Sequence, residues 1–342
     1  MHLIIYFLSC TIIIFFLSKF FKKNNFFLNQ TGEIHQTFTT SLKIPLLGGL
    51  FVFLNVLPLF WILDIKILIF LSLIFLLGIC SDLKFLKSVN KRFFLQIFII
   101  LGFVLLSKLK ILDTRIPLLD ALLNFSIFNF FFVTFCILIV INGSNFLDGL
   151  NTLLVGYYLI IIFIINILIL NKGIIFINLE FLNYFLIILS VLYLLNFFNF
   201  LFLGDSGSYI LGFMFSILLI DLYSLNTHIS PFFIVLLLWY PCYENLFSII
   251  RKIIFNRSSV KPDSNHLHQL IFHFIKKKMN FSHIKSNLTS SNLINLYNLI
   301  IFIFSINFVS NTKIMIKFIL FNLLVYTVLY IFLFNFRIKR SL

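Results

Sequence analysis

Three aspartates of this chain have surroundings that suit metal-dependent chemistry, because each lies beside glycine or other polar residues in an otherwise apolar sequence. They are Asp82, Asp148 and Asp205. Acidic side chains are costly in such a sequence and are functional candidates by default. Magnesium binds one or two carboxylates together with phosphate oxygens and waters. We therefore predict that Asp205, with Asp82 or Asp148, holds Mg²⁺, or Mn²⁺ in its place.

Two of the aspartates belong to longer polar segments. In the segment Asn142–Asn151, the side chains of Asn142, Asn145 and Asp148 recur every three residues. A helix would spread side chains at this spacing over about a third of its circumference. In Leu203–Ser208, the glycines beside Asp205 allow the backbone to approach a phosphate or the shell of a metal.

Asp82 belongs to a third polar segment, Gly78–Lys84. A fourth polar segment, Asp263–Gln269, contains two histidines separated by one residue. From an extended segment, His266 and His268 both reach one ligand. Zinc would need a cysteine or a third well-spaced histidine, and none accompanies them, so contact with a phosphate or a sugar is favoured. Each segment alone is a weak signal, since a single Asp at a helix end is more often a cap. Together the four segments predict a site.

The composition determines which elements must position these residues. Of the 342 residues, 61% are hydrophobic and only 11% are charged, and the mean hydropathy is +1.11. Soluble domains carry about 25% charged residues, so the chain is predicted to be an all-α polytopic membrane protein, in which helices satisfy the backbone hydrogen bonds inside lipid. Eleven apolar runs predict about eleven transmembrane helices, at approximately residues 3–20, 45–63, 66–80, 93–107, 127–141, 153–170, 181–200, 209–225, 231–250, 294–310 and 315–335.

The basic residues predict the orientation of these helices. If the N-terminus is periplasmic, 19 of the 26 Lys and Arg residues fall on the cytoplasmic side, as the positive-inside rule requires. The net charge of +15 is then explained by basic residues that fix the orientation and that hold anionic lipid or a phosphorylated substrate. No nucleic-acid partner is predicted. This orientation predicts that all four polar segments lie on the cytoplasmic face of a bacterial inner membrane. Residues 1–342 form one domain, with a cytoplasmic loop at 251–293 that contains the histidines and one short helix.

The order of these motifs resembles that of the polyprenyl-phosphate N-acetylhexosamine-1-phosphate transferases (glycosyltransferase family 4). This family includes the enzymes that initiate O-antigen synthesis and the phospho-N-acetylmuramoyl-pentapeptide transferase of peptidoglycan synthesis. The histidine segment is more similar to the O-antigen branch, since the peptidoglycan branch favours three consecutive histidines. The resemblance rests on five segments in order, namely His35 with Pro45–Gly49, then Gly78–Asp82, Asn142–Leu150, Leu203–Ser208 and Asp263–His268.

The resemblance implies transfer of a sugar-1-phosphate from a UDP-N-acetylhexosamine to undecaprenyl phosphate, with release of UMP. It implies Asp82, Asp148 and Asp205 as catalytic residues and Asn145 as a further metal ligand. The implied partners are the two substrates and the bilayer, and a homodimer fits because family members often dimerise. The side chains implied to bind substrate are Asn142, Asn145, His266, His268, Lys91 and Arg92, although the last two could equally serve topology.

The chain departs from the family pattern at two acids. Ser81 stands where the family has the first aspartate of a pair, and Asn151 replaces an acid after Asp148-Gly149. These changes leave open an inactive scaffold. A second alternative without this enzymatic activity is a transporter, supported by Asp221 and Glu244 near helix ends. Within the enzyme family, the alternative is the phospho-N-acetylmuramoyl-pentapeptide transferase of peptidoglycan synthesis.

Overall fold

The chain folds into a bundle of α-helices, in agreement with the predicted fold class. The computed structural model describes residues 2–28, 43–59, 61–176, 178–254 and 265–338, and the one β-bridge in these residues joins Leu28 and Pro45. The helices are α1 (His2–Lys23), α2 (Gly48–Val56), α3 (Ile65–Asp82), α4 (Val89–Ser107), α5 (Pro117–Leu123), α6 (Ser126–Leu147), α7 (Leu153–Lys172), α8 (Leu179–Phe197), α9 (Gly204–Leu225), α10 (Pro231–Leu237), α11 (Trp239–Ile254), α12 (Leu267–Met279), α13 (His283–Ser305) and α14 (Thr312–Ile338).

Nine of the described helices are long and apolar enough to cross a membrane, or ten if the bent pair α10 and α11 counts as one span. These nine helices are α1, α3, α4, α6, α7, α8, α9, α13 and α14. The predicted number of about eleven is therefore not reached by helices of spanning length. The run 45–63 contains only the short α2, which passes into a 3₁₀ turn at Leu57–Leu59 around Pro58. Proline lacks the N–H that would continue the helical ladder.

The predicted span at 231–250 is bent by 72° between α10 and α11, and Pro241 explains the break. In a continuous helix, the amide of residue 241 would donate to the carbonyl of Leu237, but proline has no amide hydrogen. The Tyr157 hydroxyl of α7 donates to this carbonyl instead, over 2.9 Å. A neighbouring helix thus satisfies a backbone group that lipid could not.

The polar segment 251–293 is more helical than the predicted loop. It contains the end of α11, all of α12 and the beginning of α13. Helix α12 forms because Leu267, Leu270 and Ile275 are buried on one face while Lys277 and Lys278 are exposed, the pattern of an amphipathic helix. Two predicted motif residues, His35 and Asp263, lie outside the described residues.

Helix α9 lies at the centre of the bundle, and most of its residues are buried against α3, α6 and α2. Gly78 of α3 makes the closest approach, since a Cβ atom there would overlap the Cα of Ser206 and come within 2.7 Å of its nitrogen. The absence of a side chain at residue 78 therefore brings the end of α3 directly onto the first turn of α9.

Substitution Gly78→Ala is expected to separate these helices and to destabilise the protein by about 1–3 kcal/mol, the usual cost of overpacking. The melting temperature in detergent measures the effect. Gly102→Ala is the matched control, because its new methyl group meets only the edge of the Phe70 ring, at 3.1 Å. An unchanged melting temperature for Gly78→Ala would show that α3 and α9 are not in this tight contact.

Candidate active site

The first turn of α9 receives its cap from Asp82, the last residue of α3. Asp82 Oδ1 accepts the backbone N–H of Asp205 over 2.8 Å, and Oδ2 accepts the N–H and the hydroxyl of Ser206 over 3.1 and 2.7 Å. The amides of a first helical turn have no partner within the helix, so this carboxylate supplies one. Gly204 precedes them with φ +74°, and a Cβ atom there would lie 2.8 Å from Asp82 Oδ2.

Asp205 projects from this turn into a cluster of polar side chains. Its Oδ2 forms an ion pair of 2.6 Å with Nη1 of Arg92, in α4, and also accepts the hydroxyl of Ser81. The Arg92 guanidinium also donates to Ser81. Among the described residues, Asp205 Oδ1 accepts only the side-chain amide of Asn145, over 3.1 Å. The Asp205 side chain remains 24% exposed, so this oxygen is open to a further ligand.

Asp148 completes the group of carboxylates at the N-terminus of α9. It follows the last residue of α6, is half-buried, and lies close to the backbone N–H of Gly204. Burial, and then the negative charges of Asp205 and Asp82, raise the pKa of Asp148 well above its usual range. The three predicted aspartates therefore lie near one another, although they are up to 123 residues apart in the chain.

The other predicted side chains lie at different distances from this centre. Asn142 is one helical turn from Asn145 and donates to Gln96 of α4 over 3.2 Å and to the Leu138 carbonyl over 2.8 Å. The Lys91 side chain is exposed and makes no hydrogen bond or ion pair with any described residue. Sequence reasoning missed Gln96, which is a buried amide within an apolar helix.

The glycine-containing segment Pro45–Gly49 supports the backbone that leads into α9. The amides of Gly48 and Gly49 donate to the carbonyls of Phe202 and Leu203, over 2.9 and 3.2 Å, and the Phe202 amide donates to Pro45 over 2.9 Å. The first motif of the resemblance therefore contacts the Gly-Asp motif through backbone hydrogen bonds.

The two histidines occupy different environments. His266 precedes α12, its Nδ1 lies 2.9 Å from Glu244 Oε1, and its ring packs at 5.1 Å against Phe146 of α6. His268 is completely buried under Gly149, and neither of its ring nitrogens has a hydrogen-bond partner among the described residues. Burial lowers the pKa of His268 to about 3. The structure thus favours His266 over His268 for contact with a substrate.

The polar side chains of this cluster include a donor set suited to the predicted magnesium ion. Among the described residues, no three His, Cys, Asp or Glu side chains converge as ligands for a metal. Magnesium usually retains waters and takes only one or two carboxylates together with substrate phosphates, and Asp205 with Asp148 fits this requirement. The Asp82 oxygens already accept three hydrogen bonds, which favours a positioning role over the predicted ligand role.

Comparison with known proteins agrees with the motif order. A model of the family described as glycosyl transferase family 4 matches residues 65–223, a range that contains all three aspartates. A curated relative, the probable undecaprenyl-phosphate N-acetylglucosaminyl 1-phosphate transferase of Bacillus subtilis (strain 168), is 28% identical over 207 residues. This match covers 59% of the chain and 56% of the relative. Residues 65–223, with the aspartate cluster at the N-terminus of α9, are therefore similar to glycosyl transferase family 4.

Proposed function

We propose that the chain transfers the sugar-1-phosphate of a UDP-N-acetylhexosamine to undecaprenyl phosphate, which yields undecaprenyl-diphospho-sugar and UMP and initiates synthesis of a surface polysaccharide. The observation that carries the proposal is the convergence of Asp82, Asp148 and Asp205 with Asn145 and Arg92 at one helix end. The name of the Bacillus relative supports the lipid acceptor and the class of sugar.

The charges of the cluster support a requirement for Mg²⁺. Arg92 pairs with Asp205, and burial, followed by the negative charges of Asp205 and Asp82, raises the pKa of Asp148. A nucleotide diphosphate is itself strongly anionic. A divalent cation would offset the repulsion between this diphosphate and the carboxylates of the cluster. Asp205 and Asp148 would hold this cation, which would neutralise the charge that develops on the diphosphate.

The chain's own residues would contribute mainly positioning, as is general for phosphoryl transfer. An oxygen of the lipid phosphate forms a bond to the β-phosphorus, and the bond from this phosphorus to the bridging oxygen breaks, so that UMP leaves. The second pKa of a phosphate monoester is about 6, so the attacking oxygen needs no dedicated base at neutral pH. Ser81 is therefore compatible with turnover, and its hydroxyl instead orients Asp205 and Arg92.

The proposed location of the reaction is the cytoplasmic face of a bacterial inner membrane. Helices α3 and α6 end, and α9 begins, at the side of the bundle that carries the aspartates. Arg337 near the end of α14 donates to Asn265 beside His266, so the C-terminal end of α14 also lies near this side. The basic residues concentrated on this side of the bundle support a cytoplasmic orientation.

The proposal is tested by UMP release from detergent-purified protein supplied with undecaprenyl phosphate, Mg²⁺ and single UDP-N-acetylhexosamines. We expect release with one donor, dependent on the lipid and abolished by EDTA. Excess Mg²⁺ added after EDTA should restore release. Folded protein that releases UMP with none of the donors would contradict the proposal and favour an inactive scaffold, and Ser81→Asp would then show whether the missing acid is responsible.

A further inference from the structure

The Glu244 carboxylate is completely buried in α11, and both of its oxygens accept hydrogen bonds from neighbouring elements. Oε1 lies 2.9 Å from Nδ1 of His266, and Oε2 accepts the hydroxyl of Tyr326, in α14, over 2.9 Å. A buried carboxylate is very costly without partners. One of these partners belongs to the histidine motif, so this acid is connected to the candidate active site.

The hydrogen bond determines which ring nitrogen His266 can present. A carboxylate accepts and does not donate, so Nδ1 must carry a proton. Nε2 of His266 bonds to no described residue and, unlike both nitrogens of His268, it is not sealed in the interior. Nε2 is therefore the one nitrogen of the two histidines that is available to a substrate.

The position of the His266 ring is fixed from several sides. The neighbouring residue Asn265 accepts a bond from Arg251 through its carbonyl and a 2.8 Å bond from Arg337 through its side chain. The His266 ring stacks nearly parallel to His268 at 5.5 Å and contacts Phe146, which lies two residues before Asp148 in the chain. These contacts hold His266 beside the segment that contributes the aspartate.

We propose that Glu244 is a positioning residue that keeps the proton on Nδ1 of His266 and directs Nε2 toward the diphosphate of the nucleotide sugar. When the ring is protonated, both nitrogens are donors, and Nε2 then gives a charge-assisted hydrogen bond to a phosphate oxygen. This inference rests on the proposed function, and it adds to the site an acid from a region outside residues 65–223.

The test compares Glu244→Gln, Glu244→Ala, His266→Ala and the double alanine variant in the UMP-release assay. Loss of a residue that orients an imidazole ligand typically costs about 10- to 100-fold. We expect Glu244→Ala and His266→Ala each to lower kcat by about this factor, with the KM for undecaprenyl phosphate unchanged. The double variant should lose no more than His266→Ala, because the two side chains act as a unit. Glu244→Gln, which keeps the volume and an acceptor, should recover part of the activity.

Melting temperatures and two control variants separate positioning from packing. Tyr326→Phe removes the other partner of Glu244 and should have a much smaller effect on kcat, whereas the exposed Glu180→Gln should have none. Full kcat in Glu244→Ala, or losses that multiply in the double variant, would overturn the inference while the wild type still turns over. Absence of turnover in the wild type would instead reject the proposed function, and the inference with it.

Discussion

Asp205→Asn is expected to reduce turnover by about 10³-fold while leaving the fold intact. Loss of a carboxylate that holds the cation removes about 4 kcal/mol of transition-state stabilisation. The amide oxygen of asparagine can still accept the bonds from Arg92 and Ser81, and only the bond from Asn145 is lost, because the new NH2 group cannot accept it. The measurements are kcat for UMP release and the melting temperature with and without Mg²⁺, which should raise the melting temperature of the wild type only.

Asp221→Asn is the matched control for this variant. Asp221 lies in the same helix, is also partly buried, and is near the opposite end of α9. We expect its turnover to stay within about threefold of the wild type, since surface and remote substitutions rarely act on the chemistry. Equal losses in the two variants would mean that any acid in α9 matters, which is the expectation for an ion path through the membrane and not for the proposed site.

Asp82→Ala is expected to lower both stability and turnover, because it removes the cap of α9. Two backbone amides and the Ser206 hydroxyl lose their acceptor, and unsatisfied buried donors cost about 1–3 kcal/mol each. With three donors affected, we expect a loss of about 3 kcal/mol or more in the free energy of unfolding, seen as a lower melting temperature. Turnover should fall by more than about 100-fold, because Asp205 begins the turn that Asp82 holds.

Asp64→Ala provides the comparison for this loss. Asp64 also caps a helix, since it accepts the Lys66 amide over 2.8 Å at the start of α3, but this cap is exposed and lies at the other end of the helix. An exposed cap contributes about 1 kcal/mol, and activity should not change. If Asp82→Ala were as mild as Asp64→Ala, the hydrogen bonds from α9 to Asp82 would not be important for the site.

The sequence predicted the membership of the aspartate cluster better than the role of each member. The positions of Asp82, Asp148 and Asp205 at polar ends of apolar runs predicted that they lie on one side of the bundle. The rotation of α3 against α9, which turns Asp82 toward backbone amides, depends on the packing of Gly78 against Ser206. No local pattern specifies such a contact between residues more than 100 positions apart.

The same dependence on contacts between distant residues explains where the observed fold differs from the predicted fold. Pro241 is visible in the sequence, but the bend between α10 and α11 is stable because Tyr157, 80 residues earlier, satisfies the Leu237 carbonyl. From the sequence alone, Glu244 supports only the transporter alternative, because it lies near the end of an apolar run. Its pairing with His266 requires α12 to pack beside α11, whereas the sequence suggested a loop with one short helix.

The most direct test of the central claim follows the transferred phosphate. Protein supplied with undecaprenyl phosphate, Mg²⁺ and a UDP-N-acetylhexosamine labelled with ³²P at the β-phosphate should move the label into a product that partitions into organic solvent, and Asp205→Asn should not. Label that stays in the aqueous phase, with the wild-type protein folded, would contradict the transfer of a sugar-1-phosphate to the lipid.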